Sequence, residues 1–140
     1  MAFWSNFPVE GIKHFSGTAT YETDFLIEAI QLRPNTSYYL DLGVVKDMAE
    51  IVLNDQKLPI LWKKPFRADI TPWLQSGQNR VEIKITNLWP NRLIGDQWLP
   101  KEARYTYTNI GKFTKDSPLI ESGLSGPVQI YRVAQQVVDF

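Results

Sequence analysis

The chain has no cysteine and a single histidine, His14. Disulfides, thiolate metal sites and cysteine nucleophiles are therefore excluded, and any serine–histidine triad would depend on His14. No cofactor is indicated, and only a calcium site built from carboxylates and carbonyls stays open. A surplus of one charge is also missing. Fifteen Lys and Arg balance fifteen Asp and Glu, so the charge balance points to neither nucleic acid nor an anionic membrane surface. No apolar run approaches the ~18 residues of a membrane helix. Residues 1–8, Met-Ala-Phe-Trp-Ser-Asn-Phe-Pro, lack the basic region and apolar stretch of a signal peptide. What is present is 140 residues, enough for one domain with a core and too few for two. Aromatics are abundant at 13%, and several of the five Trp, six Tyr and seven Phe stand beside turn residues.

Period two dominates the pattern. Within 79–86, Val81, Ile83 and Ile85 alternate with Arg80, Glu82, Lys84 and Thr86. Ala49, Ile51 and Leu53 form another apolar alternation, as do Tyr38, Leu40 and Leu42, and Ala19, Tyr21 and Phe25 line one face of 17–25. Such segments are half-buried antiparallel strands, apolar inward and polar outward. A turn beginning at Asn54-Asp55 makes 48–62 a hairpin, with Pro59 suited to an edge, and 126–133 supplies a closing strand. The predicted core is Ala19, Tyr21, Phe25, Leu40, Leu42, Ile51, Leu53, Ile70, Val81, Ile83 and Ile85. One helical turn is predicted at 71–76, with Thr71 as cap, Pro72 at the first helical position and Gly77 ending it. Residues 87–122 form a long excursion in which 104–109 is the best strand candidate. The expected fold class is an all-β antiparallel sandwich of about eight strands, a jelly roll.

The densest polar-aromatic segment is 87–98, which leaves the best strand and holds Trp89, Asn91, Arg92, Asp96 and Trp98. A sugar needs this mixture, because its apolar face packs on an indole while amides and carboxylates take its hydroxyls. The same residues also read structurally, with Trp89 and Trp98 plugging the open end and Arg92–Asp96 as an ion pair. The basic-aromatic run Trp62-Lys63-Lys64-Pro65-Phe66-Arg67 is too short, in a neutral chain, to argue for nucleic acid, and reads as a crossover with Phe66 buried. The Asn35-Thr36-Ser37 sequon reads as incidental. Glycosidase chemistry wants two facing carboxylates. Asp96, Glu102, Asp116 and Glu121 all fall in the excursion, but a sandwich of this size leaves little wall for a deep cleft.

A family pattern runs through the chain in order: Gly17-Thr-Ala-Thr-Tyr-Glu-Thr-Asp-Phe25, then 40–54, Pro65-Phe-Arg-Ala-Asp-Ile-Thr71, Gly77-Gln-Asn-Arg-Val81 and Ser122-Gly-Leu-Ser-Gly-Pro-Val-Gln-Ile130. It resembles the sugar-binding jelly-roll domain of glycoside hydrolase family 2, of galactose-binding-domain-like fold. Asn87-Leu-Trp-Pro-Asn-Arg-Leu-Ile-Gly-Asp96 and Asp116-Ser-Pro-Leu119 are similar to the ancillary domain of family 106 α-L-rhamnosidases. The resemblance covers about 16–133 and departs at Asn54-Asp55, where family 2 usually has Asn-Gly. It implies that catalytic acids lie in a separate barrel domain and that this chain contributes none. It further implies that the loop after 81–86 approaches a sugar, with Asn91 and Asp96 the corresponding positions.

The expectations are therefore a lead-in at 1–15, a β-jelly-roll domain at 16–133 and a tail at 134–140. The chain reads as a non-catalytic carbohydrate-binding or accessory domain of a bacterial glycoside hydrolase, monomeric, with carbohydrate or the parent enzyme's catalytic domain as partner. The resemblance alone implies a periplasmic or secreted location. An interdomain spacer, a protein-interaction module and a small independent hydrolase are the rival readings.

Overall fold

The computed structural model describes residues 1–134. Of the expected 134–140 tail, all but Ala134 lies outside the described residues. The strands are β1 (Thr18–Ile27), β2 (Thr36–Asp41), β3 (Val44–Lys46), β4 (Met48–Leu53), β5 (Gln56–Lys57), β6 (Arg67–Asp69), β7 (Gly77–Thr86), β8 (Gly123–Gly126) and β9 (Gln129–Ala134). Two short helices, α1 (Glu10–Lys13) and α2 (Pro90–Asp96), flank β1 and β7 in sequence. One layer is the sheet β1-β7-β4-β5, and the other is made of β6-β2-β9 with the pair β3-β8. All pairings are antiparallel.

Alternation places the core between these layers. Ala49, Ile51 and Leu53 of β4 and Val81, Ile83 and Ile85 of β7 meet Tyr38 and Leu40 of β2, Ala68 of β6 and Leu124 of β8. Eight of the eleven predicted core residues are buried. Ala19, Tyr21 and Phe25 are instead half-buried against that core, because β1 is an outer strand with a neighbour on one side only. The sequence reading omits Trp4, which is buried within the 1–15 lead-in. Its backbone N–H donates to Ser122 O at 2.8 Å. Its indole lies on Gly123, where a Cβ would come within 2.5 Å of the ring, so only glycine leaves room for it.

Several predicted boundaries are corrected. The closing strand at 126–133 is two strands on two different sheets, because Pro127 has no N–H to continue a ladder. The turn at 71–76 is a single hydrogen-bonded turn in which Ile70 O accepts from Trp73 N and Leu74 N, both at 3.0 Å. Its first free amide, Thr71 N, is capped by Asp69 Oδ1 at 2.9 Å rather than by Thr71 itself. No strand forms at 104–109, for a reason that belongs to the site below.

The β4–β5 register pairs Leu53 with Gln56, leaving Asn54-Asp55 as a two-residue turn with φ of +48° and +64°. Positive φ at both positions is what a type I′ hairpin turn requires. Asn54 is tied down by bonds from its Nδ2 to Trp73 O (2.9 Å) and Asn79 Oδ1 (2.8 Å), and its Oδ1 accepts from Arg80 N. Among the described residues Asp55 has no such compensation. Asp55→Gly is expected to raise stability by about 0.5–1 kcal/mol, relieving a left-handed side-chain residue. Urea melts check this, and a loss would show that the carboxylate supports the turn.

Candidate functional site

The excursion begins where β7 ends, and polar side chains fix its direction. Buried Asn87 accepts from Gly17 N (2.9 Å) and donates to Phe15 O (2.8 Å), pinning the end of β7 to the lead-in. Leu88 N donates to Asp47 Oδ2 and Leu88 O accepts from Ser16 Oγ at 2.7 Å. Trp89 is the residue before α2 and Pro90 opens the helix, the position where a missing N–H and a fixed φ are tolerated best.

The helix separates the five predicted site residues. Asn91 and Asp96 face inward and are fully buried. Asn91 Nδ2 donates to Ile120 O (2.7 Å) and Ser122 Oγ (3.3 Å), and its Oδ1 accepts from Ile120 N (2.9 Å). Asp96 accepts from Thr106 N (2.9 Å), Tyr105 N (3.3 Å) and the Thr106 hydroxyl. These bonds are why 104–109 forms no strand: the amides that would join a ladder are turned onto a carboxylate. Both side chains are buried with their polar atoms engaged inside the fold, apart from the exposed indoles beside which the sequence reading set them. Burial alone would push the Asp96 carboxyl up. The Thr106 and Tyr105 donors and the Arg92 charge more than offset this, holding it below its ordinary 3.8.

Trp89 and Trp98 remain exposed, at 61% and 62%. They do not line a common pocket. Trp89 borders a cleft of about 490 Å³ with Gly11, Phe15, Ser16, Arg92, Tyr105 and Thr106. Trp98 borders an adjoining hollow of about 280 Å³ with Glu10, His14, Gly95 and Leu99, to which Arg92 and Tyr105 also contribute. The Arg92 guanidinium lies 4.8 Å from the Tyr105 ring centroid, and this stack stands between the two indoles. Gly95 makes the stack possible, since a Cβ there would come within 2.5 Å of Arg92 Nη2 and 2.7 Å of His14 Cβ. Lys115 Nζ sits 5.5 Å from the Trp98 ring.

Arg92 is half-buried and faces Asp96 at 3.0 Å through Nε. That approach is an ion pair without in-line hydrogen-bond geometry, so the buried Nε has no hydrogen-bond partner. Gly11, Phe15, Ser16, Tyr105 and Thr106 are the cleft residues that sequence reading missed. The i, i+4 spacing of Arg92 and Asp96 was a usable local signal, but nothing local announces Phe15, which arrives from the lead-in.

The other carboxylates of the excursion do not converge with Asp96: Glu121 pairs with Lys46 at 3.1 Å, and Glu102 and Asp116 are exposed. Among the described residues no group of three His, Asp or Glu side chains is placed to hold a metal ion. No helix among them is long and apolar enough to cross a membrane.

The two-layer architecture and the helix-bearing excursion after β7 define an all-β, galactose-binding-domain-like jelly roll. No family model matches the chain. It is similar to a rhamnosidase from Novosphingobium sp. PP1Y, with 36% identity, a TM-score of 0.86 and coverage of 94% of this chain and 12% of that one. A predicted beta-glucuronidase of Formosa agariphila is 40% identical over 91% of this chain and 13% of its own length. The beta-glucuronidase of Ruminococcus gnavus superposes with a TM-score of 0.52 at 25% identity, over 61% of this chain and 14% of that one. The chain is thus a jelly-roll domain of the glycoside-hydrolase-associated kind, and it spans about an eighth of the length of its relatives.

Proposed function

We propose that the chain serves as a non-catalytic accessory domain of a glycoside hydrolase working in the periplasm or outside the cell, and that the cleft beside Trp89 contacts carbohydrate. The observation that carries this is the composition of that cleft. Aromatic rings, Phe15, Trp89 and Tyr105, share its lining with the guanidinium of Arg92 and the hydroxyl-bearing Ser16 and Thr106. At about 490 Å³ it falls within the size range of small-ligand sites. Similarity to rhamnosidases and glucuronidases supports the setting, in which this fold is one small part of a larger enzyme.

A specific observation favours a second reading of the same face. Outside the cleft lining, Leu88, Trp98, Tyr107 and Ile110 are exposed, Tyr107 at 92%. Exposed aromatic and apolar side chains on one excursion suit a partner surface, and the partner proposed is the catalytic domain of the same enzyme.

One stacked sugar gains only about 1–3 kcal/mol, offset by ordering costs, so affinity is expected on the order of millimolar, about 4 kcal/mol. Chemical-shift titration with rhamnose- and galactose-containing oligosaccharides should move resonances of 11–16, 89–92 and 105–106. Trp89→Ala should abolish those shifts while changing stability by no more than about 0.5 kcal/mol, as for an exposed side chain. Absence of any sugar-dependent shift would overturn the carbohydrate reading. Loss of a parent enzyme's stability in Trp98→Ala without a sugar response would select the docking reading.

A further inference from the structure

We propose that the sugar residue taken by this cleft carries a carboxylate, a uronic acid rather than a neutral hexose, and that Arg92 is the group that selects it. The inference rests on the carbohydrate reading above and goes to its ligand chemistry.

Among the described residues, three arginines face carboxylates within ion-pair distance. Arg67 donates from both Nε and Nη2 to Asp41, and Arg80 donates from Nη2 to Glu22. Their side chains are 43% and 66% exposed, whereas that of Arg92 is 17% exposed. The most buried of the three is therefore the one with no in-line hydrogen bond. Its partner Asp96 has its oxygens engaged by Thr106 and Tyr105, and the terminal nitrogens of Arg92 make no hydrogen bond among the described residues. Among the described residues only Nε is buried without a hydrogen-bond partner; the terminal nitrogens are accessible, and a fork of charged donors in the lining of a cleft favours an acceptor of opposite charge.

The guanidinium is also held in place. Tyr105 stacks on it at 4.8 Å, and the absence of a side chain at Gly95 lets it lie against the helix. A planar fork fixed in this way matches a carboxylate bidentately, which no single hydroxyl does. Trp89 and Phe15 then supply faces for the ring that bears the carboxylate. One further acid reaches the neighbouring hollow, Glu10, and its oxygens are already met by His14 Nδ1 (3.1 Å) and Lys13 Nζ (3.4 Å). It does not compete for Arg92.

The test changes the ligand before the protein. The full 140-residue chain is titrated with D-glucuronic acid, its methyl ester and D-glucose, following amide shifts around the cleft. The acid is expected to bind at least ten-fold more tightly than the ester or glucose, a difference of about 1.4 kcal/mol, and its advantage should shrink as salt rises. Arg92→Lys, which keeps the charge and loses the fork, should erase most of that ten-fold preference without abolishing the weak binding of glucose. Equal affinity for the three probes would overturn the inference and leave the carbohydrate reading standing. If neither these probes nor the neutral oligosaccharides produce shifts, both fall together. A preference for the acid that survives Arg92→Lys undiminished also overturns the assignment, because the charge alone, or another residue, would then account for it.

Discussion

Replacing Asp96 with alanine is expected to destabilise the fold by about 3–5 kcal/mol, the range for removing one member of a buried charged pair. The carboxylate is 1% exposed and receives hydrogen bonds from two amides and a hydroxyl while facing Arg92. Alanine leaves all of these donors behind, and the segment carrying Tyr105 and Thr106 loses its attachment to α2. Asp96→Asn separates charge from shape. Its folded carboxyl titrates below the ordinary value of 3.8, so unfolding binds protons and wild-type stability rises with pH through that window. The contribution is complete above the unfolded value and is lost as the pH falls through the lower folded one. The gap between wild type and Asp96→Asn should therefore be widest at neutral pH and close on acidification below about 4. Urea melts between pH 3 and 7 read both effects. A loss smaller than about 1 kcal/mol for the alanine variant would show that the excursion is held by something else.

The contrast between Asp96 and Ile83 explains how far the sequence could be read. Ile83 was legible because its environment is periodic: every second residue of β7 faces the core, and the same alternation recurs on β4 and β2. Asp96 and Asn91 obey no such period. Their partners lie 9–10 and 29–31 residues away and are mostly backbone groups, whose exposure no residue type reports. The polar-aromatic mixture of 87–98 is visible in the sequence, but which of its side chains turn inward depends on a helix of seven residues. Pro90 at its start was the available signal, weakened by the Gly95 interruption and by a length too short to show a repeating apolar face. Trp4 and Phe15 were missed for a different reason. They join the core and the cleft from the lead-in by close packing on Gly123 and on the excursion, contacts decided in three dimensions. The type I′ turn lies between these cases. Asn54 was read as a turn residue, but its triple bonding to Trp73, Asn79 and Arg80 lets the turn form with aspartate where glycine is usual.

This division assigns two different jobs to one excursion. Its buried polar side chains hold it to the sandwich, and its exposed rings and Arg92 are what it presents. Substitutions at Asn91 or Asp96 are therefore expected to report on folding, and the proposed recognition is tested at Trp89, Arg92, Trp98 and Tyr105. A loss of binding in Asn91→Ala would say nothing about sugar contact unless stability were measured alongside it.

Ile83→Ala is expected to cost about 2–5 kcal/mol, the span for truncating a buried isoleucine. Ile83 pairs with Tyr21 of β1 on one side and Ile51 of β4 on the other, at the middle of the four-stranded sheet. It belongs to the central apolar cluster, and strands hydrogen-bonded on both edges cannot slide inward to fill the space left by three carbons. The upper half of the range is favoured for that reason, since the cost grows with the part of the cavity that the neighbours fail to close. Tyr21 is the internal comparison. It lies beside Ile83 on the outer strand and is only half-buried, but it accepts a hydrogen bond from Trp4 Nε1 at 2.6 Å. Tyr21→Phe should therefore cost about 0.5–1.5 kcal/mol, the loss of one hydrogen bond, well below Ile83→Ala. Denaturant melts of the two variants at neutral pH decide the matter. A loss of less than about 0.5 kcal/mol for Ile83→Ala, the range of surface substitutions, would mean that β7 presents its other face to the core.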